Sequence, residues 1–235
     1  MTRKILNNVE QIHLALKKRY KNFRHYNKCN PLAELLFILC STKTSEKSYL
    51  GTYKRLINSF PKFEDILKAK TSDIEKVLEK GGLSVIKAKS IKKIFTTLAE
   101  KFGKPTLTPL KEMSTKECEV FLTSLPGIGL KTARCVIMYS LNRPVFPVDT
   151  HCWRISRRLG WIRPNQKNAR LTDREQNRLQ NKIPEKFRFA LHVNMVSLGR
   201  ELCLKNPLCL HCPIVVYCKQ IGVKKLSSTN SNRTN

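Results

Sequence analysis

Residues 125–133 read LPGIGLKTA, and no other stretch of the 235-residue chain constrains its fold as tightly. Gly127 and Gly129 flank one isoleucine. Glycine reaches backbone angles that other residues avoid and lets another backbone approach closely. Pro126 cannot continue a helix. On one side Val120, Phe121 and Leu125 recur at helical spacing, and on the other Ala133, Val136, Ile137 and Leu141 do the same. The stretch therefore predicts two helices joined by a hairpin turn. The unpaired N–H groups that open the second helix are suited to hold a phosphate. Lys131 falls in the first turn of that helix, where a cation opposes the helix dipole. That placement favours the neutral amine, which is a nucleophile. The ordinary alternative is a solvated surface lysine.

Helical periodicity dominates the rest of the chain. Val9, Ile12, Leu14 and Leu16 mark a helix over 8–20. The run after Pro31 marks another over 31–41, and Tyr49, Leu50, Tyr53, Leu56 and Ile57 a third over 46–59. Ser72 with Glu75, and Ser114 with Glu117, have the spacing of capping boxes. Gly81-Gly82 is a stop signal. Ile91, Ile94, Phe95, Leu98 and Phe102 form one stripe over 84–102. Asp149 precedes a helix that Gly160 ends, and 186–202 is a further helix. There is no convincing run of alternating strands and no internal repeat, so the fold class is all-α. The small polar residues from 222 to 235 predict a disordered tail.

The formal net charge is +28, from 45 Lys+Arg against 17 Asp+Glu. A basic excess of this size points to a polyanionic partner, nucleic acid before anionic membrane. No apolar run approaches the ~20 residues that span a bilayer, and MTRKILNNVEQ turns polar at once. The expectation is a soluble, intracellular protein without a membrane partner: cytoplasm or nucleoid in a prokaryote, nucleus in a eukaryote.

Of nine cysteines, Cys203, Cys209, Cys212 and Cys218 crowd into C-x5-C-x2-C-x5-C. Without a secretory signal, disulfides are not expected. Four thiols in one short loop imply a metal centre. Zinc sites usually pair two C-x2-C rungs; a single rung with a lone cysteine on either side favours an iron–sulfur cluster, with zinc as the alternative. Lys205 borders the loop and can present charge to a phosphate backbone. Arg154, Arg157 and Arg158 are either phosphate contacts or the solvated face of a helix.

Three motifs together, LPGIGLKTA (125–133), FPVDTHCWRISRRLGW (146–161) and the four-cysteine loop 203–218 preceded by SLGREL, resemble the endonuclease III branch of the helix-hairpin-helix DNA glycosylases. They keep that family's order and separation over residues 28–220. The resemblance implies two helical lobes with DNA in the groove between them. One is a six-helix lobe over 28–141 that ends in the hairpin. The other joins 1–27 to 142–221 and carries a [4Fe–4S] cluster on the four cysteines. It further implies a monomeric bifunctional DNA glycosylase with abasic-site (AP) lyase activity, acting in base excision repair on double-stranded DNA with a damaged base or abasic site. The target base is flipped out of the duplex. Lys131 would attack the sugar C1′, with burial, the helix start and nearby cations keeping its amine neutral. Asp149 would assist, although an aspartate before a helix is also an ordinary N-cap. Gly127 and Gly129 would hold a phosphate, and Leu83 would wedge into the stack beside the flipped base. Thr42 falls near a position where relatives often carry a gap-filling glutamine. Five residues separate the first two cysteines instead of the usual six. Oxidised pyrimidine is the family default; uracil or thymine in mismatches and 5-methylcytosine are alternatives, as is a non-catalytic iron–sulfur DNA-binding protein.

Overall fold

The computed structural model describes residues 2–162 and 171–223. Among them there are eleven α-helices, four short 3-10 turns and no strand. The chain divides into two compact units, Arg24–Pro147 and the described residues of Met1–Phe23 with Val148–Asn235. The expected span 28–141 falls within the first of these units. The tail expected from residue 222 lies outside the described residues from 224 onward.

The Arg24–Pro147 unit holds α2 (Pro31–Ser41), α3 (Glu46–Ser59), α4 (Phe63–Lys68), α5 (Thr71–Leu78), α6 (Ser84–Phe102), α7 (Thr115–Ser124) and α8 (Leu130–Leu141). That is seven helices where the resemblance implies six. Its centre is α2, buried at Leu32 and from Glu34 through Cys40 and packed by α3, α6 and α8. A helix apolar all round has no solvent face to keep, so it becomes the core element. Asn30 starts it by accepting from the N–H groups of Leu32 and Ala33, with Pro31 in the first turn. Phe37 meets the Tyr49 and Tyr53 rings edge-on at 5.4 and 5.3 Å.

Local signals set most helix ends. Ser114 and Glu117 form the expected capping box on α7. The box proposed at Ser72 and Glu75 does not form, because α5 begins at Thr71, ahead of Ser72. The short α4 carried no long apolar stripe to announce it. It is held by Asp65, which accepts from the Lys62 N–H at 2.9 Å, and by Lys92, which donates to the carbonyls of Leu67 and Ala69. Apolar residues read as one stripe also divide: Val120 and Ile57 face solvent while Leu122 and Leu56 are fully buried.

The second unit holds α1 (Thr2–Tyr20), α9 (Thr150–Arg158), α10 (Asp173–Lys182) and α11 (Glu185–Glu201). Helix α11 packs on both α1 and α9. Val9, Ile12 and Leu16 enter this core, whereas Leu14 is 58% exposed. The spacing i, i+3, i+7 makes one face, and Leu14 lies off it. Asn194, buried on α11, donates to Asn22 Oδ1 at 2.8 Å and accepts the Asn22 N–H at 3.0 Å, which fixes the chain beyond α1. Helix α10 is opened by a capping box of Thr172 and Glu175. No helix among the described residues is long and apolar enough to cross a membrane.

Candidate active site and metal centre

The hairpin lies where the sequence puts it. Helix α7 ends at Ser124, Pro126 and Gly127 turn the chain, and α8 begins at Leu130. Gly127 has φ +78°, a left-handed angle that disfavours any side chain, and an added Cβ would stand 3.3 Å from Ser90 Oγ. Gly129 precedes α8 with extended backbone, and a Cβ there would meet nothing within 4 Å. Its neighbours in this unit therefore do not require glycine at 129. What its bareness leaves is an open approach to the start of α8, which no side chain caps. Ile128 is buried and anchors the turn, its N–H bonded to the Leu125 carbonyl at 3.1 Å. The two helices are further joined by Arg134, fully buried on α8, whose Nε donates to Glu119 of α7 at 2.7 Å.

Lys131 is the second residue of α8 and is half-buried. Helix α2 packs on α8 and contributes a residue that the sequence analysis did not single out. Glu34 is fully buried and accepts hydrogen bonds from the Asn27 side chain and, at 2.6 Å, from the Lys28 N–H. Burial pushes its carboxyl up to about 7, against the lowering effect of those two donors and of the nearby positive charge of Lys131. An acidic residue next to the apolar run LLFILC was the available signal, since a charge inside a core helix seldom lacks a partner.

Thr42 and Leu83, far apart in sequence, are drawn into one hydrogen-bonded cluster. Thr42 is exposed at the C-cap of α2, with its hydroxyl donating to the Ile38 carbonyl at 3.2 Å. Leu83 caps α6 in a left-handed conformation (φ 54°) and is 43% exposed. Thr44 and Lys87 connect the two segments.

Asp149 belongs to the other unit. It is the N-cap of α9, with Oδ1 accepting the Cys152 N–H at 2.7 Å. The capping role read from Asp-Thr-His is present, and it orients the carboxylate. His151 follows on α9, and burial holds its imidazole below the ordinary range. Gly199 of α11 lies against it so closely that an added Cβ would fall 2.6 Å from the His151 side chain.

Cys203, Cys209, Cys212 and Cys218 line one pocket together with Ile155, Leu198, Leu202 and Ile214, among others. Short 3-10 turns at Cys209–His211 and Val215–Tyr217 carry the chain from one cysteine to the next. Among the described residues no three His, Cys, Asp or Glu side chains sit closely enough to hold a metal ion. The donor set nevertheless suits a thiolate-bound group: four sulfurs in an apolar pocket, with donors aimed at two of them. Arg158 Nη1 points at Cys203 Sγ from 3.0 Å and the Gln220 N–H at Cys218 Sγ from 3.4 Å. Burial pushes Cys212 up to about 11, and its three neighbours oppose its ionisation further. Four thiols ionising together in this pocket would need a positively charged centre among them to offset their charge.

The arginines of α9 serve this loop. Arg154 donates to the Cys203 carbonyl at 2.7 Å and to Gly199 at 2.8 Å; Arg158 donates to the carbonyls of Leu204 and Lys205 at 2.7 and 2.9 Å. Arg157 instead lies over the Trp153 ring, 5.0 Å from its centroid. The Lys205 side chain is exposed.

Comparison with known proteins places these features in a lineage. The profile of the HhH-GPD superfamily of base excision DNA repair proteins matches residues 37–182. An Arabidopsis thaliana protein named "Putative DNA glycosylase At3g47830" is 34% identical over 73% of this chain, although the match spans only 58% of that relative. Endonuclease III of Thermotoga maritima is 29% identical over 90% of this chain and 92% of its own. A solved non-covalent complex of endonuclease III with DNA superposes with a TM-score of 0.76 at 25% identity, covering 94% of this chain and 96% of that one.

Proposed function

The chain belongs to the HhH-GPD superfamily of base excision DNA repair proteins, and on that premise we propose that it is a bifunctional DNA glycosylase and AP lyase acting as a monomer on duplex DNA. The observation that carries this reading is Lys131 at the second position of α8, beside the open start of that helix and the bare Gly129. Binding alone would not require an amine there. The uncapped N–H groups and the glycine turn suit a DNA phosphate, which would fix a sugar near Lys131.

Lys131 attacks C1′ of the target nucleotide through its amine nitrogen, after the ammonium has released a proton. The bond from C1′ to the base breaks, and the base leaves with the electron pair and takes up a proton. The nitrogen gives up a proton, the C1′–O4′ bond breaks with O4′ taking up a proton, and the opened sugar is left as a protonated Schiff base. Loss of a C2′ proton then expels the 3′ phosphate, and the strand is cut by β-elimination. Asp149 offsets the positive charge that develops on the sugar and receives protons. Leu83 fills the stack vacated by the target base, Thr42 lies beside that gap, and Lys205 contributes charge toward the phosphate backbone. The default target is an oxidised pyrimidine. The four cysteines hold a [4Fe–4S] cluster, for which the donor set and the apolar pocket are suited; when bound, it braces the loop 203–218.

The test is a duplex with one abasic site, treated with borohydride in the presence of the protein. Wild type is expected to form a covalent adduct that Lys131→Ala does not form while still binding DNA. No adduct from DNA-binding wild type would remove the lyase, leaving a monofunctional glycosylase or a binding protein. A panel of duplexes carrying oxidised pyrimidines, uracil or thymine mismatches and 5-methylcytosine identifies the base. The purified protein is expected to be brown with stoichiometric iron and sulfide; colourless protein carrying zinc would overturn the cluster.

A further inference from the structure

Lys87 is a buried cation of the Arg24–Pro147 unit. It is 5% exposed, in the first turns of α6, where the helix dipole already disfavours positive charge. Burial lowers its affinity for a proton further. An apolar side chain would fill the same space without that cost. What the ammonium supplies is three donors, each with an acceptor: the Cys40 carbonyl at 3.0 Å, Thr44 Oγ1 at 3.1 Å and the Gly81 carbonyl at 3.0 Å. Cys40 lies in the last turn of α2, where carbonyls lack helical partners and the dipole favours a cation. Gly81 ends the 3-10 turn before Leu83.

Other contacts point the same way. Thr44 Oγ1 is 2.8 Å from the Gly81 carbonyl, and Ser48 Oγ donates to the Lys80 carbonyl at 3.0 Å. An added Cβ at Gly81 would fall 2.8 Å from Thr52, so the turn is seated directly on α3. Beyond the seat, Gly82 (φ 67°) and Leu83 (φ 54°) both have positive φ, and Leu83 is left-handed, which is unfavourable for a leucine. The cluster holds that strained conformation and leaves the Leu83 side chain exposed. It also spans from the end of α2, beside Thr42, to the turn that carries Leu83.

We propose that Lys87 is a positioning residue for base extrusion: its ammonium fixes the Leu83 turn against the α2–α3 connection, so that the wedge and the gap-side residue Thr42 enter DNA in a set relation. This rests on the reading of Leu83 as a wedge. The residue touches neither DNA nor the reacting atoms in this role, so its effect must pass through Leu83.

The test uses the full chain and a duplex with a stable abasic analogue flanked by 2-aminopurine, whose fluorescence rises when the neighbouring stack is opened. Readings are taken at saturating protein, with affinity measured separately. Wild type is expected to give the rise, and Leu83→Ala to lose it. Lys87→Met is expected to lose most of the rise with little loss of affinity, and the double variant to be no worse than Leu83→Ala. A full rise from folded Lys87→Met, or additive losses in the double variant, overturns the positioning role. A full rise from Leu83→Ala instead removes the wedge reading and the inference with it. If Lys87→Met does not fold, Thr44→Val, which deletes one of the three acceptors, takes its place: a partial loss supports the role and an unchanged rise refutes it.

Discussion

Substituting Glu34 by glutamine isolates the cost of a buried charge. The carboxyl has an ordinary value of 4.5 and is pushed up to about 7 in the folded protein. Because the folded value is raised, its favourable contribution is complete below about pH 4.5 and is lost as pH rises through about 7. At about 1.4 kcal/mol for each pH unit of difference, the loss amounts to about 3 kcal/mol once Glu34 is ionised. Glutamine keeps the shape, can still accept from the Lys28 N–H and never ionises. Glu34→Gln should therefore match wild type near pH 4 and exceed it by about 3 kcal/mol near pH 8. For a chain of this length that is a rise in midpoint of about 6–12 °C. Urea denaturation followed by far-ultraviolet circular dichroism across that range measures the difference between the two proteins. Histidine titrations, including those of His13 and His151, cancel in it. A difference that does not change with pH, or a variant less stable at the alkaline end, would refute the reasoning. It would mean that the charge of Lys131 and the Asn27 and Lys28 donors outweigh desolvation.

Glu119→Ala leaves the buried Arg134 without its carboxylate and should destabilise the chain by about 3 kcal/mol, read by the same denaturation; a loss below about 1 kcal/mol would show that the other surroundings of Arg134 suffice. Gly199→Ala drives a methyl to 2.6 Å from His151 and should cost about 1–3 kcal/mol, since α9 and α11 must separate. The same substitution at Gly129, where a Cβ meets no neighbour within 4 Å, should leave stability nearly unchanged but weaken duplex binding measured by fluorescence anisotropy. Equal affinity would show that the bare turn is not where DNA approaches.

The chain's local signals were legible because they act within a few residues. Proline, two glycines and flanking periodicity announce the α7–α8 hairpin, since backbone angles and i, i+4 neighbours are set by adjacent residues. Ser114 with Glu117 and Asp149 before α9 are caps for the same reason. The cysteine spacing marked four thiols for one centre; all four line one pocket, but among the described residues no three metal-ligating side chains stand close enough to hold an ion. What the sequence could not specify was which polar groups meet across the fold. Glu34 and Lys87 look like ordinary charges in a row of letters, and α9's arginines like a solvated face. Their surroundings are built from distant segments, as with Arg154 and Cys203, forty-nine positions apart. Desolvation and hydrogen-bond partners are properties of packing, and the same lysine is a surface cation or a buried clamp according to what closes around it. Periodicity also could not say that Leu14 or Val120 would stay outside, because the chain codes for a face and the neighbouring helices choose how wide that face is.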